Sequence, residues 1–415
     1  MVQSSWHKPS SGVVKEGVRQ HQLAAGHKRP KSPSLQSGGA SWSYLDKIYP
    51  SNNDANTPYA PSMVFWEGQL CCLWADVNGT PFFACGQNEK GSWAHRNSLN
   101  SNPSPPRMTE GAALGVFGEV TQNLHAIIVN NQSMYHYRYV VQIDEKGQDV
   151  WQWIGGDALP AKSNHQPALL GVRGELICAF TVPNSNNEIY LSRWTPPQPG
   201  SYGSGTWSKP RGLGAETWGV LGLYIMDDVL HMTYAANNNS RTLLDSTYNL
   251  DTDTLTPQGF SFQQTEHSAY GCSVTSFDDK AWLAFQKNGD GSGSVLVCEL
   301  DSVSGIWASN VPIHENSKDT PSIAVLDDVI NCIYNAHNKD AGNLLLSQAP
   351  ATTYPPDEWM SHVSSDTLWS QLSIPGTHDS YSKVGVPFAQ TQTMSLTEQL
   401  DSGIRYIGTF QAMER

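Results

Sequence analysis

The residues with the clearest capacity for chemistry lie near the end of the chain, where Leu368-Trp369-Ser370-Gln371-Leu372-Ser373-Ile374 runs into Pro375-Gly376-Thr377-His378-Asp379-Ser380. A histidine beside a carboxylate can move protons near neutral pH, and the C-terminal end of a strand is where a (β/α) barrel gathers such groups. His378 and Asp379 are therefore the candidate catalytic residues, although an isolated His-Asp pair is more often a hydrogen-bonded structural pair. The seven cysteines suggest no second chemistry. Cys71 and Cys72 are adjacent, while Cys85, Cys178, Cys272, Cys298 and Cys332 are scattered without the spacing of zinc ligands. An odd count with no recognisable export signal disfavours a disulfide framework.

The elements that position these residues come from a repeat. An apolar segment, a Gly/Asp/Asn turn and a second apolar segment recur six times, with turns near Gly68, Asn123, Gly174, Asp228, Asp279 and Asp328, 49 to 55 residues apart. The second segments, from Leu70-Cys71-Cys72-Leu73-Trp74 to Ile330-Asn331-Cys332-Ile333-Tyr334, keep apolar or small residues at their first, third and fifth places. That period of two predicts strands with one strongly buried face, and it makes Cys72, Cys178 and Cys332 small core residues. A period near 50 built from short strands predicts propeller blades.

Several units close on a tryptophan, at Trp93, Trp153, Trp207 and Trp307, but the fourth, around Pro257 to Phe262, has none. These rings are expected to pack between blades, the functional alternative being a platform for sugars. Ser41-Trp42-Ser43-Tyr44-Leu45-Asp46-Lys47-Ile48 looks like a unit's last strand yet precedes the first unit, so it is expected to complete the sixth blade and close the ring. The expected fold is mainly β: a six-bladed propeller over residues 41–350, followed by a truncated (β/α) TIM-barrel fragment. In outline the repeats resemble propeller lectins and sialidase-like domains. Ser201-Tyr202-Gly203-Ser204-Gly205-Thr206 is not a sialidase Asp-box, which favours a binding or scaffolding role with glycans or a protein as partner.

Beyond Pro355-Pro356 the character changes. Ser395 stands three residues before Glu398, a capping box that starts a short helix, Gly403 stops it, and Ile404-Arg405-Tyr406-Ile407 is the next strand. The stretches LSQLSIPGTHDS and PFAQTQTMSLTEQLDSGIRY, with WMS before them, closely resemble the opening of the X domain of phosphatidylinositol-specific phospholipase C of the bacterial and fungal type. The resemblance covers residues 357–407. It implies a phosphoric diester hydrolase of lipid metabolism acting on phosphoinositides or other phosphodiester lipids without a metal or other cofactor. In it His378 is the base that deprotonates the inositol 2-hydroxyl, and Asp379 the carboxylate supporting a second, acidic histidine. Base and acid on opposite sides of phosphorus, with an arginine for the developing charge, meet the needs of in-line displacement. The family's catalytic arginine and second histidine are not found. Arg405 precedes the expected position, and Gly408 to Arg415 follow a different pattern. Residues 357–415 number 59 against about 250 for a barrel, so this segment is expected to be a truncated domain without efficient activity.

Composition sets the outer bounds. Of 415 residues, 25 are Lys or Arg and 38 Asp or Glu, a net charge of -13, which argues against nucleic acid as the main partner. Residues 1–40 carry six Lys/Arg and one Glu and read as a disordered basic arm, which leaves -18 on the remainder. No run approaches the roughly 18 to 20 apolar residues of a membrane span, and no apolar segment follows the basic residues as in a signal peptide. A soluble, cytoplasmic protein is the resulting expectation.

Overall fold

Three of the sequence repeats begin with a described hairpin whose turn is too tight for ordinary backbone angles. Glu67-Gly68, Arg173-Gly174 and Asp227-Asp228 all adopt positive φ, between 46° and 75°, the geometry that lets a two-residue loop follow the twist of the flanking strands. A computed structural model describes residues 42–47, 57–87, 93–99, 101–102, 104–118, 123–143, 149–183, 185–197, 204–257, 259–277, 279–289, 293–301, 304–326, 329–337, 343–351, 376–377 and 406–407. The expected basic arm lies outside them. Among the described residues no helix is long and apolar enough to cross a membrane.

The described strands form six mainly antiparallel sheets of four or more strands and one two-stranded sheet. Sheet 1 holds Ser62–Trp66, Gln69–Ala75, Pro81–Gln87 and Trp93–Ser98, and sheet 2 is built on Ala112–Phe117, Asn123–Asn130, Ser133–Ile143 and Asp149–Lys162. Sheets 3, 4 and 5 start at Ala168–Val172, Gly222–Met226 and Ser268–Phe277. Sheet 6 runs Ser322–Leu326, Val329–Asn335, Leu344–Pro350 and then back to Ser43–Lys47, which pairs antiparallel with Leu344–Pro350. The strand before the first repeat thus completes the last sheet, as its sequence suggested. First strands touch one another in cyclic order, and that of sheet 6 touches that of sheet 1. This is a mainly β, propeller-like arrangement.

The core differs from the one-faced strands expected. Gln69–Ala75, Glu175–Thr181 and Val229–Ala235 are buried at six successive positions, on both faces. The reason is that each sheet lies between two others. Leu70, Cys72 and Trp74 pack with Ala324, Ile333 and Leu346 of sheet 6, whereas Cys71, Leu73 and Ala75 pack with Leu114, Leu124 and Ala126 of sheet 2. Alternate side chains of one strand therefore serve two seams.

Two expectations need correction. Cys71 and Cys85 sit opposite each other on adjacent strands, Cα atoms 4.1 Å apart, and form a disulfide. The scattered cysteine spacing concealed this because partners across a hairpin are set by register. Cys72, Cys178, Cys272, Cys298 and Cys332 are free and buried, three of them the expected core residues. The fourth unit does not end around Pro257 to Phe262: its last strand is Thr254–Thr256, and Ser261–Phe262 crosses to run parallel to Ile306–Trp307 of sheet 5. Phe262 stacks there on Trp307 with centroids 5.8 Å apart. Of the expected barrel fragment, Gly376–Thr377 and Tyr406–Ile407 are described, as a parallel pair. The helix expected between them lies outside the described residues.

Inner strands expose one unpaired edge, and neighbouring sheets satisfy it. The Leu114 amide donates to Ser62 Oγ at 2.9 Å, Met63 N to Ser322 Oγ at 2.9 Å, and Ile323 N to Ser273 Oγ at 3.2 Å. Between sheets 4 and 5 the backbones meet directly, with Val220 N donating to Tyr270 O at 2.9 Å and Cys272 N to Val220 O at 3.1 Å. A Cβ on Gly219 would lie 1.8 Å from the Tyr270 carbonyl oxygen. Gly219→Ala is accordingly expected to destabilise the protein by about 3 kcal/mol through backbone overlap, measured by urea unfolding.

Candidate functional site at the mouth of the axial channel

A serine or threonine precedes each inner strand, at Thr57, Thr109, Ser163, Thr217, Ser268 and Ser317, with steps of 52, 54, 54, 51 and 49. Thr57, Ser163, Thr217 and Ser317 each bond the residue two places on. Ser163 Oγ donates to His165 O at 2.6 Å and accepts from His165 N at 3.4 Å, and Ser317 Oγ does the same with Asp319 at 2.7 and 3.3 Å. Ser268 reaches Gly271, and Thr109 instead accepts from Asn131 N at 2.7 Å. Such hydroxyl turns fix how the chain enters the strand, so the next two residues project to one face. Their recurrence at the period of the hairpins was legible in the sequence, but isolated Ser and Thr carry too little signal to be noticed.

The turns surround a cavity of about 530 Å³. Glu110, Asn164, His165, Trp218, Tyr270 and Asp319 line it, and the volume lies within the range of roughly 300–1,000 Å³ common to ligand pockets. Trp218 and Tyr270 are 38% and 44% exposed, unusual for rings of this size. Trp218 is held in place by the Arg241 guanidinium, 3.8 Å from the ring centroid, and Arg241 is itself anchored by Nη1 donating to Ala269 O at 2.7 Å. Asn164 is fixed on both sides, donating to Asn187 Oδ1 at 3.0 Å and accepting from Gln132 Nε2 at 3.2 Å. Burial lowers the His165 pKa, which keeps the ring neutral at pH 7. The arrangement joins flat apolar rings to converging polar groups and holds no activated nucleophile among its described members.

Two buried clusters have catalytic composition but no opening. Trp207 Nε1 donates to His136 Nδ1 at 3.3 Å, so His136 carries its proton on Nε2 and donates it to His125 Nδ1 at 2.9 Å. Burial drives His125 down to about 3 and His136 well below its ordinary value, so both imidazoles stay neutral. In sheet 4, Asp245 accepts from Tyr224 Oη at 2.6 Å, Trp307 Nε1 at 3.0 Å and Phe260 N at 3.3 Å, and meets His231 Nδ1 at 3.0 Å. Of the tryptophans that close the repeats, Trp207 and Trp307 thus tie buried polar groups, and Trp153 and Trp307 are buried. The exposed Trp218 belongs to a different position of the repeat, which the sequence reading overlooked.

The sequence-derived catalytic residues His378 and Asp379, and also Arg405, lie outside the described residues. What is described beside them is the register Gly376 opposite Tyr406 and Thr377 opposite Ile407, which sets the chain leading into His378 alongside the strand after Arg405.

Asp319 gives the mouth a titration of its own. Burial pushes its carboxyl up to about 6, while the Thr320 and Ala60 amides that bond it pull the other way. A raised acid binds its proton more tightly in the folded state, so its stabilising contribution is full below about pH 4 and lost as pH rises through about 6. Carbon-13 NMR of labelled aspartate should show a carboxyl titrating near 6 that disappears in Asp319→Asn, and that variant should lack the loss of stability across this window.

No family model matches the chain. A stretch of 57 residues is 53% identical to a 1-phosphatidylinositol phosphodiesterase of Listeria monocytogenes, covering 12% of this chain and 18% of that protein's length. The chain therefore spans less than a fifth of the curated relative it matches. Among solved structures it is similar to AofleA from Arthrobotrys oligospora, with a TM-score of 0.50 and 12% identity over 75% of this chain and 87% of that one. The SapL1 lectin in complex with alpha methyl fucoside aligns at TM-score 0.47 and 12% identity over 73% of this chain and all of that one. A Trypanosoma rangeli sialidase in complex with the inhibitor DANA aligns at 0.47 and 10% identity over 71% and 55%. At these identities the likeness is one of fold alone.

Proposed function

We propose that residues 41–350 form a single closed six-bladed propeller that binds carbohydrate, in the manner of a lectin, at the mouth of its axial channel. The observation that carries this is the pair of exposed rings, Trp218 and Tyr270, set beside amides and carboxylates in one cavity. A sugar offers an apolar face of C–H bonds and a rim of hydroxyls, and so calls for a flat ring with polar groups around it. The Arg241 contact holds Trp218 before any ligand arrives, which lowers the ordering cost of binding. On a glycan array the protein is expected to bind at least one glycan saturably, and Trp218→Ala to weaken that binding by about tenfold or more. A blank array, or unchanged binding by the variant, would overturn the assignment.

The 57-residue match favours a second reading for the C-terminal part. Residues 357–415 would then derive from a phosphodiester hydrolase of inositol lipids, with His378 as general base and Asp379 as the carboxylate that supports a second, acidic histidine. The propeller would target this chemistry to a glycan-bearing surface. In any form of the protein that cleaves phosphatidylinositol vesicles, His378→Ala should lower turnover by about 10²- to 10⁴-fold. Undiminished turnover would remove His378 from the mechanism.

A further inference from the structure

The axial channel has a second opening, at the end where the first strand of each sheet reaches its hairpin turn. Past a narrow section of about 90 Å³, to which the first strands of all six sheets contribute, the channel widens into a cavity of about 370 Å³. Val64, Phe65, Val116, Leu170, Val172 and Val274 are among its lining. The two ends of one channel thus differ in chemistry. The mouth joins carboxylates, an amide and aromatic rings, whereas the far cavity is walled mainly by apolar side chains and leaves Phe65 46% exposed. A volume within the range of ligand pockets, bounded by apolar side chains from every sheet, is suited to a chain of methylene groups. One wall is held close by glycine: a Cβ on Gly171 would lie 2.2 Å from Val116 O, so the strands of sheets 2 and 3 meet without side chains between them there.

Arg173 is the only charged residue among the described residues that line this cavity. It stands in the tight turn of sheet 3, and its side chain is 54% exposed. Nη2 donates to Asp228 O at 3.3 Å, and Nη1 lies 3.8 Å from Asp251 Oδ1, on a side chain 82% exposed. An ion pair this long and this wet contributes little, so the guanidinium keeps N–H groups with which to hold an anion at the edge of the cavity. Glu67, Asp227, Asp228 and Asp279 occupy the corresponding turns of sheets 1, 4 and 5. Their field opposes a second negative charge, which favours a head group with one charge over a head group with two.

We propose that the far cavity of the channel binds a fatty carboxylate, its alkyl chain against Val64, Phe65, Val116 and Leu170 and its head group at Arg173. The chain gains by leaving water, and the single carboxylate accepts charge-assisted hydrogen bonds from an arginine that is accessible and weakly engaged. The narrow section closes the inner end and limits how long a chain can be taken up. This site lies at the opposite end of the channel from Trp218 and Tyr270, and it does not depend on the carbohydrate reading.

Isothermal titration of the full chain with octanoate, decanoate, decyl phosphate and decyltrimethylammonium, each below its micelle-forming concentration, tests it. Decanoate is expected to bind saturably at one site and about tenfold more tightly than octanoate, the gain from burying two further methylene groups. It is expected to bind about tenfold or more tightly than decyltrimethylammonium, which carries the same chain with the opposite charge. Decyl phosphate, dianionic at pH 8, should bind less tightly than decanoate. Arg173→Gln should weaken decanoate about tenfold while leaving decyltrimethylammonium unweakened, and Phe65→Ser should weaken both. Both positions are exposed, so the variants should melt with the parent protein; if Phe65→Ser does not fold, Arg173→Gln carries the test. Absence of saturable decanoate binding overturns the proposal. So does binding of the cation or the phosphate as tight as that of decanoate, or unchanged decanoate affinity in a folded variant.

Discussion

The antiparallel pairing of Ser43–Lys47 with Leu344–Pro350 is the interaction on which the rest of the molecule depends. It brings strands about 300 residues apart in sequence into one sheet, and the loop entropy of that closure is recovered only if the sheets between them are in place. Once sheet 6 is complete, its inner strand meets that of sheet 1, and each of six apolar clusters is shared by two sheets. One joins Leu70, Cys72 and Trp74 to Ile333 and Leu346 across the closing seam, with Met63 N bonded to Ser322 Oγ nearby. Asn335 Nδ2 donates to Thr57 O across the same seam. Without closure, sheets 1 and 6 would each leave a buried face and an unpaired inner edge in water.

A ring of sheets leaves polar backbone facing inward, and the protein resolves this with side-chain hydroxyls. Serines on the inner strands accept neighbouring amides, and the hydroxyl turns before those strands satisfy the backbone where the chain enters. Deeper between sheets, Asp245 and the His125–His136 pair gather the indole N–H groups of Trp307 and Trp207. Each is a buried polar group whose partners are supplied by more than one strand, an arrangement that rewards one register over its alternatives.

The C-terminal segment follows a different structural logic. Parallel pairing of Gly376–Thr377 with Tyr406–Ile407 contrasts with the antiparallel hairpins of the six sheets, and parallel neighbours need a crossover between them. The 28 residues separating the two strands are long enough for such a crossover.

The sequence by itself determined the repeat, its period, the hairpins, the buried cysteines and the unusual role of the strand at Trp42, because these depend on local alternation and on turn residues that announce themselves. It also determined the motif around His378 through its likeness to a family. Tertiary structure alone decided the rest. Cys71 found Cys85 through strand register, which two scattered cysteines do not encode. The strand after Pro257 passed to the next sheet because Phe262 could stack on Trp307 there. The mouth, above all, draws Glu110, His165, Trp218, Tyr270 and Asp319 from five different repeats. No short-range pattern links residues that far apart; they become neighbours only when the ring closes and every opening turn faces the same axis.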